Sequence, residues 1–355
     1  MKKVLMKGNE AFAEGCIRAG CRFYSGYPIT PQTEILEYMS WRMEEEGGVF
    51  VQTASEIEGI YMLFGAASCG VRSLTTSSGP GFSMKQEGIS YLCASDVPAV
   101  IADVMRIGSG LGDIFQGQGD YWQLTRGGGH GDYRTIVLAP CSVQENVDLA
   151  ALAFNLAEAY RHPVLIASDA AIGQMLEPVS LPPFRKDEGK RFDWALREER
   201  DDGRKRLIWN IYYDTGAEHY PAYLKEKYSR IEANEQRWES FRTEDAEIVL
   251  VAYGISARIC RSAVKKAREQ GIRLGLIRPI TLWPFPEKAF REPSDSLRGY
   301  LCVEMSILGQ MCDDVRLACK GRFPVGFSGE FANVPSEDTI IREALQMIGA
   351  ERSSL

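Results

Sequence analysis

Histidine is scarce in this sequence: three residues in 355, His130, His162 and His219, too far apart to form a local metal motif. Nine cysteines are scattered singly, and no two stand as Cys-x-x-Cys. That excludes a local zinc ribbon or ferredoxin-type cluster and suits a reducing compartment. No apolar run approaches the roughly 20 residues that span a bilayer. The N-terminus, MKKVLMKGNEAFAEG, opens with two lysines but lacks the apolar stretch of a signal peptide. Forty-one basic residues stand against 48 acidic ones, for a net charge of -7, which argues against phosphate-driven nucleic-acid binding. There is no Gly-x-Gly-x-x-Gly fingerprint after the first strand, no Walker loop, no His-Glu-x-x-His and no Gly-x-Ser-x-Gly elbow. A nicotinamide dehydrogenase, a P-loop NTPase, a zinc protease and a serine hydrolase all lose ground. The expectation is a soluble cytoplasmic protein with no nucleic-acid or membrane partner and no metal held by its own side chains.

What is present reads as alternating strand and helix. At this length two domains are expected. Short apolar stretches at 22–27, 48–53, 72–78, 99–105, 135–140 and 163–168 predict buried strands. Segments between them carry apolar residues at helical spacing, so a mostly parallel sheet covered on both faces is expected over residues 1–183. Residues 184–244 break the pattern with dense charge, RKDEGKRFDWALREERDDGRKR, followed by a helix-like stretch, PAYLKEKYSRIEANEQRWESF. They read as a solvated connector with aromatic anchors, or as an arm that packs on a partner. From 245 to 355 the alternation restarts as a second α/β domain, where Ser256 in YGIS is a candidate helix cap. No sequence repeat relates the two domains.

In a parallel α/β sheet, ligands collect at the carboxyl ends of strands. Four features fall there. Arg106 leaves the strand AVIADVM at the head of a Gly-rich segment, 104–134, and suits either a carboxylate or an ordinary ion pair. Glu56 in TASEIEGI is either a first-turn carboxylate behind an N-cap Ser55 or a buried partner for a heterocycle's nitrogen. Ser77, Ser78 and Gly79 line a pocket or make a tight turn. Thr30 in GYPITP reads as an N-cap with Pro31 at the first helical position, and the helix should stop at Gly47 and Gly48. The coincidence of all four at strand ends points to one crevice. His130 in GGGHGDYR is a weaker candidate.

The stretches GNEAFAEGCIRAGCRFYSGYPITPQTEILEYM, ASEIEGI, TTSSGPGFSMKQEGISYL, VMRIGSGLG and GGGHGDYRTIVLAPCSVQE resemble the alpha subunit of 2-oxoacid:ferredoxin oxidoreductases, relatives of pyruvate:ferredoxin oxidoreductase. The resemblance runs nearly end to end. It implies a pyrimidine-type thiamine-diphosphate-binding domain followed by a transketolase C-terminal-like domain. It also implies a split site, with a beta subunit holding the diphosphate and Mg2+, usually on a Gly-Asp-Gly that this chain lacks. Iron–sulfur clusters would sit on partners such as gamma and delta ferredoxin-like subunits, with ferredoxin and coenzyme A as co-substrates. By position, Glu56 corresponds to the glutamate holding the aminopyrimidine, and the Pro28 carbonyl lies near that ring. Ser77, Ser78 and Gly79 join them as cofactor-binding candidates. Thr30 and Arg106 correspond to residues that contact the 2-oxoacid, Arg106 clamping its carboxylate. GGGHGDYR is most similar to the branched-chain (2-oxoisovalerate) type. The 2-oxoglutarate type and a non-catalytic scaffold subunit are the alternatives, and Asp113 has no evident reason to stand beside an apolar substrate.

Overall fold

The computed structural model describes residues 3–186, 192–196 and 207–349; the rest of the charged run, 187–191 and 197–206, lies outside the described residues. The first part of the chain contains β1 (Lys3–Lys7), α1 (Gly8–Arg18), β2 (Phe23–Gly26), α2 (Thr33–Glu45), β3 (Val49–Gln52), α3 (Glu56–Ser68), β4 (Ser73–Ser77) and α4 (Pro80–Ala94). It continues with β5 (Val100–Met105), α5 (Tyr121–Thr125), β6 (Ile136–Leu138), α6 (Val143–Tyr160), β7 (Val164–Asp169), α7 (Ala170–Gln174) and β8 (Leu176–Ser180). Next come α8 (Tyr212–Asn234), β9 (Trp238–Phe241), β10 (Ile248–Val251), α9 (Gly254–Glu269), β11 (Leu274–Pro279) and β12 (Thr281–Trp283). The chain closes with β13 (Gly299–Glu304), α10 (Cys312–Ala318), β14 (Val325–Gly329) and α11 (Glu337–Ile348).

Seven strands form the larger sheet, in the order β12-β6-β7-β5-β4-β2-β3. All its pairings are parallel except β12 with β6. Every residue of β5 (VIADVM) and β7 (VLIASD) is buried. Such unbroken burial fits parallel strands covered on both faces by helices. The second sheet, β14-β13-β10-β11-β9, is parallel apart from the β11–β9 pair, and β1 with β8 makes a separate antiparallel ribbon. The expected strands are all present, and the expected α/β architecture with them.

The β1–β8 ribbon was not foreseen, and two further short strands were missed as well. WESF, read as the tail of a helix, is β9 and pairs antiparallel with β11. TLW, just beyond it in space, is β12 and closes the edge of the first sheet. Each is three or four residues long, too short for periodicity to register. So a strand from the 184–244 stretch belongs to the second sheet, and one from beyond 245 belongs to the first.

Helix α8 is largely exposed but is anchored to the body along one face, where Lys227 and Ile231 are buried. Lys227 Nζ donates to Asp96 Oδ1 at 2.6 Å, with both side chains nearly sealed from water, and Tyr223 OH donates to the same carboxylate. Burial pulls the Lys227 amine down, and the Asp96 charge opposes that pull. Removing one partner of a buried pair strands the other charge at a cost of about 3–5 kcal/mol. Asp96→Asn, which tolerates the left-handed backbone at φ 52, is therefore expected to lower the melting temperature clearly by calorimetry or circular dichroism.

Candidate functional site

The chain turns back on itself between β2 and β4: β2 continues to the outer strand β3, and α3 returns the chain to β4 on the other side of β2. This is the switch point at which a doubly wound sheet opens a crevice. The turn after β2 carries Tyr27 to Gln32, and the turn after β4 carries Ser77 to Gly79.

The threonine cap is corrected here. α2 begins at Thr33 with Gln32 in the cap position, and the Thr30–Pro31 peptide is cis. The cause lies in neighbouring side chains that hold Tyr27–Gln32 as a turn. Gln32 donates from Nε2 to the Tyr27 carbonyl at 3.0 Å and accepts from Thr76 Oγ1, while Asn9 Nδ2 holds the Pro31 carbonyl at 2.8 Å. Thr30 is left exposed at the tip, and among the described residues nothing hydrogen-bonds its hydroxyl. Its carbonyl accepts from Arg106 Nη1 at 2.7 Å. Sequence placed Thr30 and Arg106 at one crevice, and the structure joins them.

Arg106 is 7% exposed, and Nη2 donates to the Leu111 carbonyl at 2.8 Å. Two of its five N–H groups thus fix the guanidinium plane. Its Nε is buried with no partner among the described residues. A methyl group on Gly79 would stand 3.5 Å from Arg106 Cγ, so that glycine, at φ 45, packs directly beneath the arginine.

Glu56 opens α3, as expected, with Ser55 Oγ capping the helix on Glu58 N at 3.3 Å. The cap belongs to Ser55, and Glu58 reaches back to Ala54 N. Glu56 is free of those duties. It is 5% exposed, and among the described residues no donor hydrogen-bonds its carboxylate. A Cβ built on Gly81 would meet Glu56 Oε1 and Ser77 Oγ at 2.4 Å each, so the two oxygens face the same glycine-sized gap. The hydroxyls of Ser77 and Ser78 are buried without partners among the described residues. An unpaired buried hydroxyl costs free energy and marks a place built for a polar ligand atom.

Lys85 was missed by sequence. It points inward from α4, fully buried, and donates from Nζ to the Glu56 carbonyl at 3.2 Å and to Thr75 Oγ1 at 3.0 Å. Burial lowers its amine to about 7, against the pull of the nearby Glu56 charge. Its place on the apolar face of a helix was the available signal. Pro28 is half-buried in the turn after β2. His130 and Asp113 are exposed, and Asp113 only caps its own turn through Ile114 N at 2.7 Å.

The second part of the chain roofs the crevice. Gln118 makes five hydrogen bonds across the join: its N and Nε2 donate to the Met305 and Tyr253 carbonyls, its Oε1 accepts from Met305 N and Ser256 Oγ, and its carbonyl accepts from Tyr253 OH. Ser256 therefore does not cap its helix. α9 starts earlier, at Gly254, where Asp169 from the end of β7 accepts from Ile255 N at 2.9 Å, leaving Ser256 for Gln118. Between the two parts lies a cavity of about 560 Å3, lined among others by Gly79, Arg106, Gly108, Trp122, Ser306 and Phe331. No group of His, Cys, Asp and Glu among the described residues is arranged to hold a metal ion.

The fold and crevice define the class first: a two-part α/β chain of the thiamine-diphosphate enzyme type. A 2-oxoglutarate:ferredoxin oxidoreductase from Magnetococcus marinus superposes with a TM-score of 0.83 at 23% identity, covering 98% of this chain and 65% of that one. A split-gene transketolase superposes with a TM-score of 0.58 at 12% identity. Residues 14–243 match the family model for pyruvate flavodoxin/ferredoxin oxidoreductase, thiamine diphosphate-binding, and residues 246–333 match pyruvate:ferredoxin oxidoreductase core domain II. The ketoisovalerate oxidoreductase subunit VorB of Methanothermobacter thermautotrophicus is 50% identical over 319 residues, 90% of each chain. The 2-oxoglutarate synthase subunit KorA of Methanocaldococcus jannaschii is 38% identical over 344 residues, covering 90% of this chain and 93% of that one. The chain belongs to the 2-oxoacid:ferredoxin oxidoreductase family, as one subunit of a multi-subunit oxidoreductase. No helix among the described residues is long and apolar enough to cross a membrane.

Proposed function

We propose that this chain is the alpha subunit of a cytoplasmic oxidoreductase that converts a branched-chain 2-oxoacid, 2-oxoisovalerate foremost, to acyl-CoA and CO2, passing two electrons to ferredoxin. The observation that carries the chemistry is the Glu56 carboxylate, buried at a strand end with no donor among the described residues and facing a gap kept open by Gly81. These residues fit the aminopyrimidine of thiamine diphosphate. A carboxylate suits a ring nitrogen that carries a proton, and the Ser77 and Ser78 hydroxyls suit the polar atoms around it. The Pro28 carbonyl supplies a further acceptor. Thiamine diphosphate supplies the electron sink for decarboxylation, and the protein orients it.

The chain's own residues then have distinct tasks. Glu56 holds and moves a proton at the ring nitrogen. Arg106, its plane fixed by two backbone carbonyls, presents its remaining N–H groups to the substrate carboxylate beside the free Thr30 hydroxyl. Ile57, Tyr61 and Met62 on α3 and Met84 and Tyr91 on α4 are exposed around the Glu56 side. That apolar rim suits the beta subunit, which would bring the diphosphate and Mg2+, with iron–sulfur clusters on further partners. The substrate preference rests on the higher identity to the ketoisovalerate subunit than to the 2-oxoglutarate subunit.

The test is to copurify the chain with its partner subunits and follow viologen reduction, with coenzyme A and thiamine diphosphate, across a panel of 2-oxoacids. Turnover fastest with 2-oxoisovalerate is expected; a loaded enzyme inactive with every acid would sink the proposal. Gly81→Ala is a sharper probe. Its methyl group would enter the gap at 2.4 Å from Glu56 Oε1 and Ser77 Oγ, forcing the carboxylate aside. Thiamine diphosphate affinity in the assembled enzyme, read by titration calorimetry, should fall by roughly tenfold or more, the effect of losing one charge-assisted hydrogen bond.

A further inference from the structure

Two carboxyl groups beside the cavity and behind the Gly79 turn have no place in the reading above. Asp103 stands in the middle of the otherwise apolar strand β5 and is wholly buried; Asp120 lines the cavity just before α5. The two carboxyls stand close enough for each to affect the other's ionisation. Each spends one oxygen on a protein donor. Asp103 Oδ1 accepts from Gly79 N at 3.2 Å, and Asp120 Oδ1 accepts from Gln123 Nε2 at 3.1 Å. The remaining oxygen of each, Oδ2, is buried with no donor among the described residues. Two acceptor-only oxygens cannot bond each other; one proton between them satisfies both. Like charges sharing a site behave this way, with one proton held far more tightly than the other.

Arg106 is the positive group beside the pair. It sits at the carboxyl end of the same strand, over Gly79, and its buried Nε is the unpartnered donor of the site. Tyr253, at the cap of α9, feels the charges of Glu304 and Asp169 as well as those of the pair, and its hydroxyl is committed to the Gln118 carbonyl at 3.2 Å. Burial raises both carboxyls, and for Asp103 the Asp120 charge adds to the rise.

We infer that Asp103 and Asp120 share one proton and together present a single negative charge behind Arg106, making them positioning residues that set how strongly this arginine holds a substrate carboxylate. The inference deepens the proposed function and rests on its assignment of Arg106. With the proton in place, the pair fixes the Gly79 turn and the guanidinium above it while leaving Arg106 charge to spare. When the proton leaves, a second negative charge competes with the substrate for the same cation. The sign follows: KM for the 2-oxoacid rises as pH rises through the step at which the shared proton is lost. A unit charge a few ångströms away in a partly buried site is worth about tenfold or more in affinity.

Asp120→Asn reproduces the singly protonated pair, since the amide donates where the shared proton did and the net charge stays at one negative. In the assembled enzyme, the alkaline rise in KM should disappear in Asp120→Asn, with the effect on KM rather than kcat, and return in Asp120→Glu. Infrared difference spectra of wild type against Asp120→Asn at neutral pH should show loss of a protonated-carboxyl stretch. Asp103→Asn serves as the second variant if Asp120→Asn fails to fold, with the same outcomes expected. An unchanged infrared band would overturn the shared proton whatever the activity. A lost band with an unchanged KM profile would overturn the link to Arg106. In that last case Arg106→Lys separates the two readings: if it leaves KM untouched, the assignment of Arg106 in the proposed function has itself failed.

Discussion

Glu56→Gln is expected to leave the chain folded and able to assemble, and to lower turnover by roughly 10²–10⁴-fold, the usual worth of a positioned acid–base group. The fold should survive because Glu56 contributes little to it. Ser55 caps α3, Glu58 completes the helix start, and Lys85 holds the Glu56 carbonyl rather than its carboxylate. Glutamine keeps the size and one acceptor oxygen, so the gap above Gly81 keeps its shape. What it loses is the charge that favours a protonated ring nitrogen and the ability to take that proton. Steady-state viologen reduction with saturating thiamine diphosphate, alongside a melting curve, separates the two outcomes. Wild-type turnover in the variant would reduce Glu56 to a first-turn carboxylate favoured by the helix dipole.

The second large effect is expected at Arg106. Arg106→Lys keeps the positive charge and loses the planar fork. An ammonium cannot hold the Thr30 and Leu111 carbonyls in the arrangement the guanidinium makes at 2.7 and 2.8 Å and also offer a carboxylate two parallel donors. KM for the 2-oxoacid should rise by roughly 10- to 100-fold, the range of one or two charge-assisted hydrogen bonds. The change should fall mostly on KM, because Arg106 grips a carboxylate present before and during the reaction. A Thr30 turn released from Arg106 adds to the loss. Unchanged KM in a folded variant would move the carboxylate site elsewhere in the cavity.

Much of this was legible in the sequence because strand ends announce themselves. The apolar runs of β2, β4 and β5 stop at residues such as Gly26, Ser77 and Arg106, so Thr30, the Ser77–Gly79 turn and Arg106 fall around one crevice on the sequence pattern alone. Ser55 as the cap of α3 was equally clear, since Ser followed by Glu three residues on is a local signal. The failures share a cause: long-range side-chain bonds override local preference. Thr30 looks like a cap, but Gln32 and Asn9 hold that turn in another shape. Ser256 looks like a cap, but Asp169, nearly ninety residues earlier by numbering, takes the helix start and Gln118 takes the serine. Lys85 and Asp103 stood out only as charged residues on faces that should be apolar, and their partners come from other elements. α8's anchor, Lys227 to Asp96, joins residues 131 apart and so could not be read locally.

The structure of the assembled enzyme with thiamine diphosphate bound is the most direct test of the split site proposed here. The expected result is the aminopyrimidine lodged over Gly81 with a ring nitrogen about 3 Å from a Glu56 oxygen and Ser77 close by. A ring bound elsewhere, with Glu56 turned to solvent or to a partner's lysine, would contradict it.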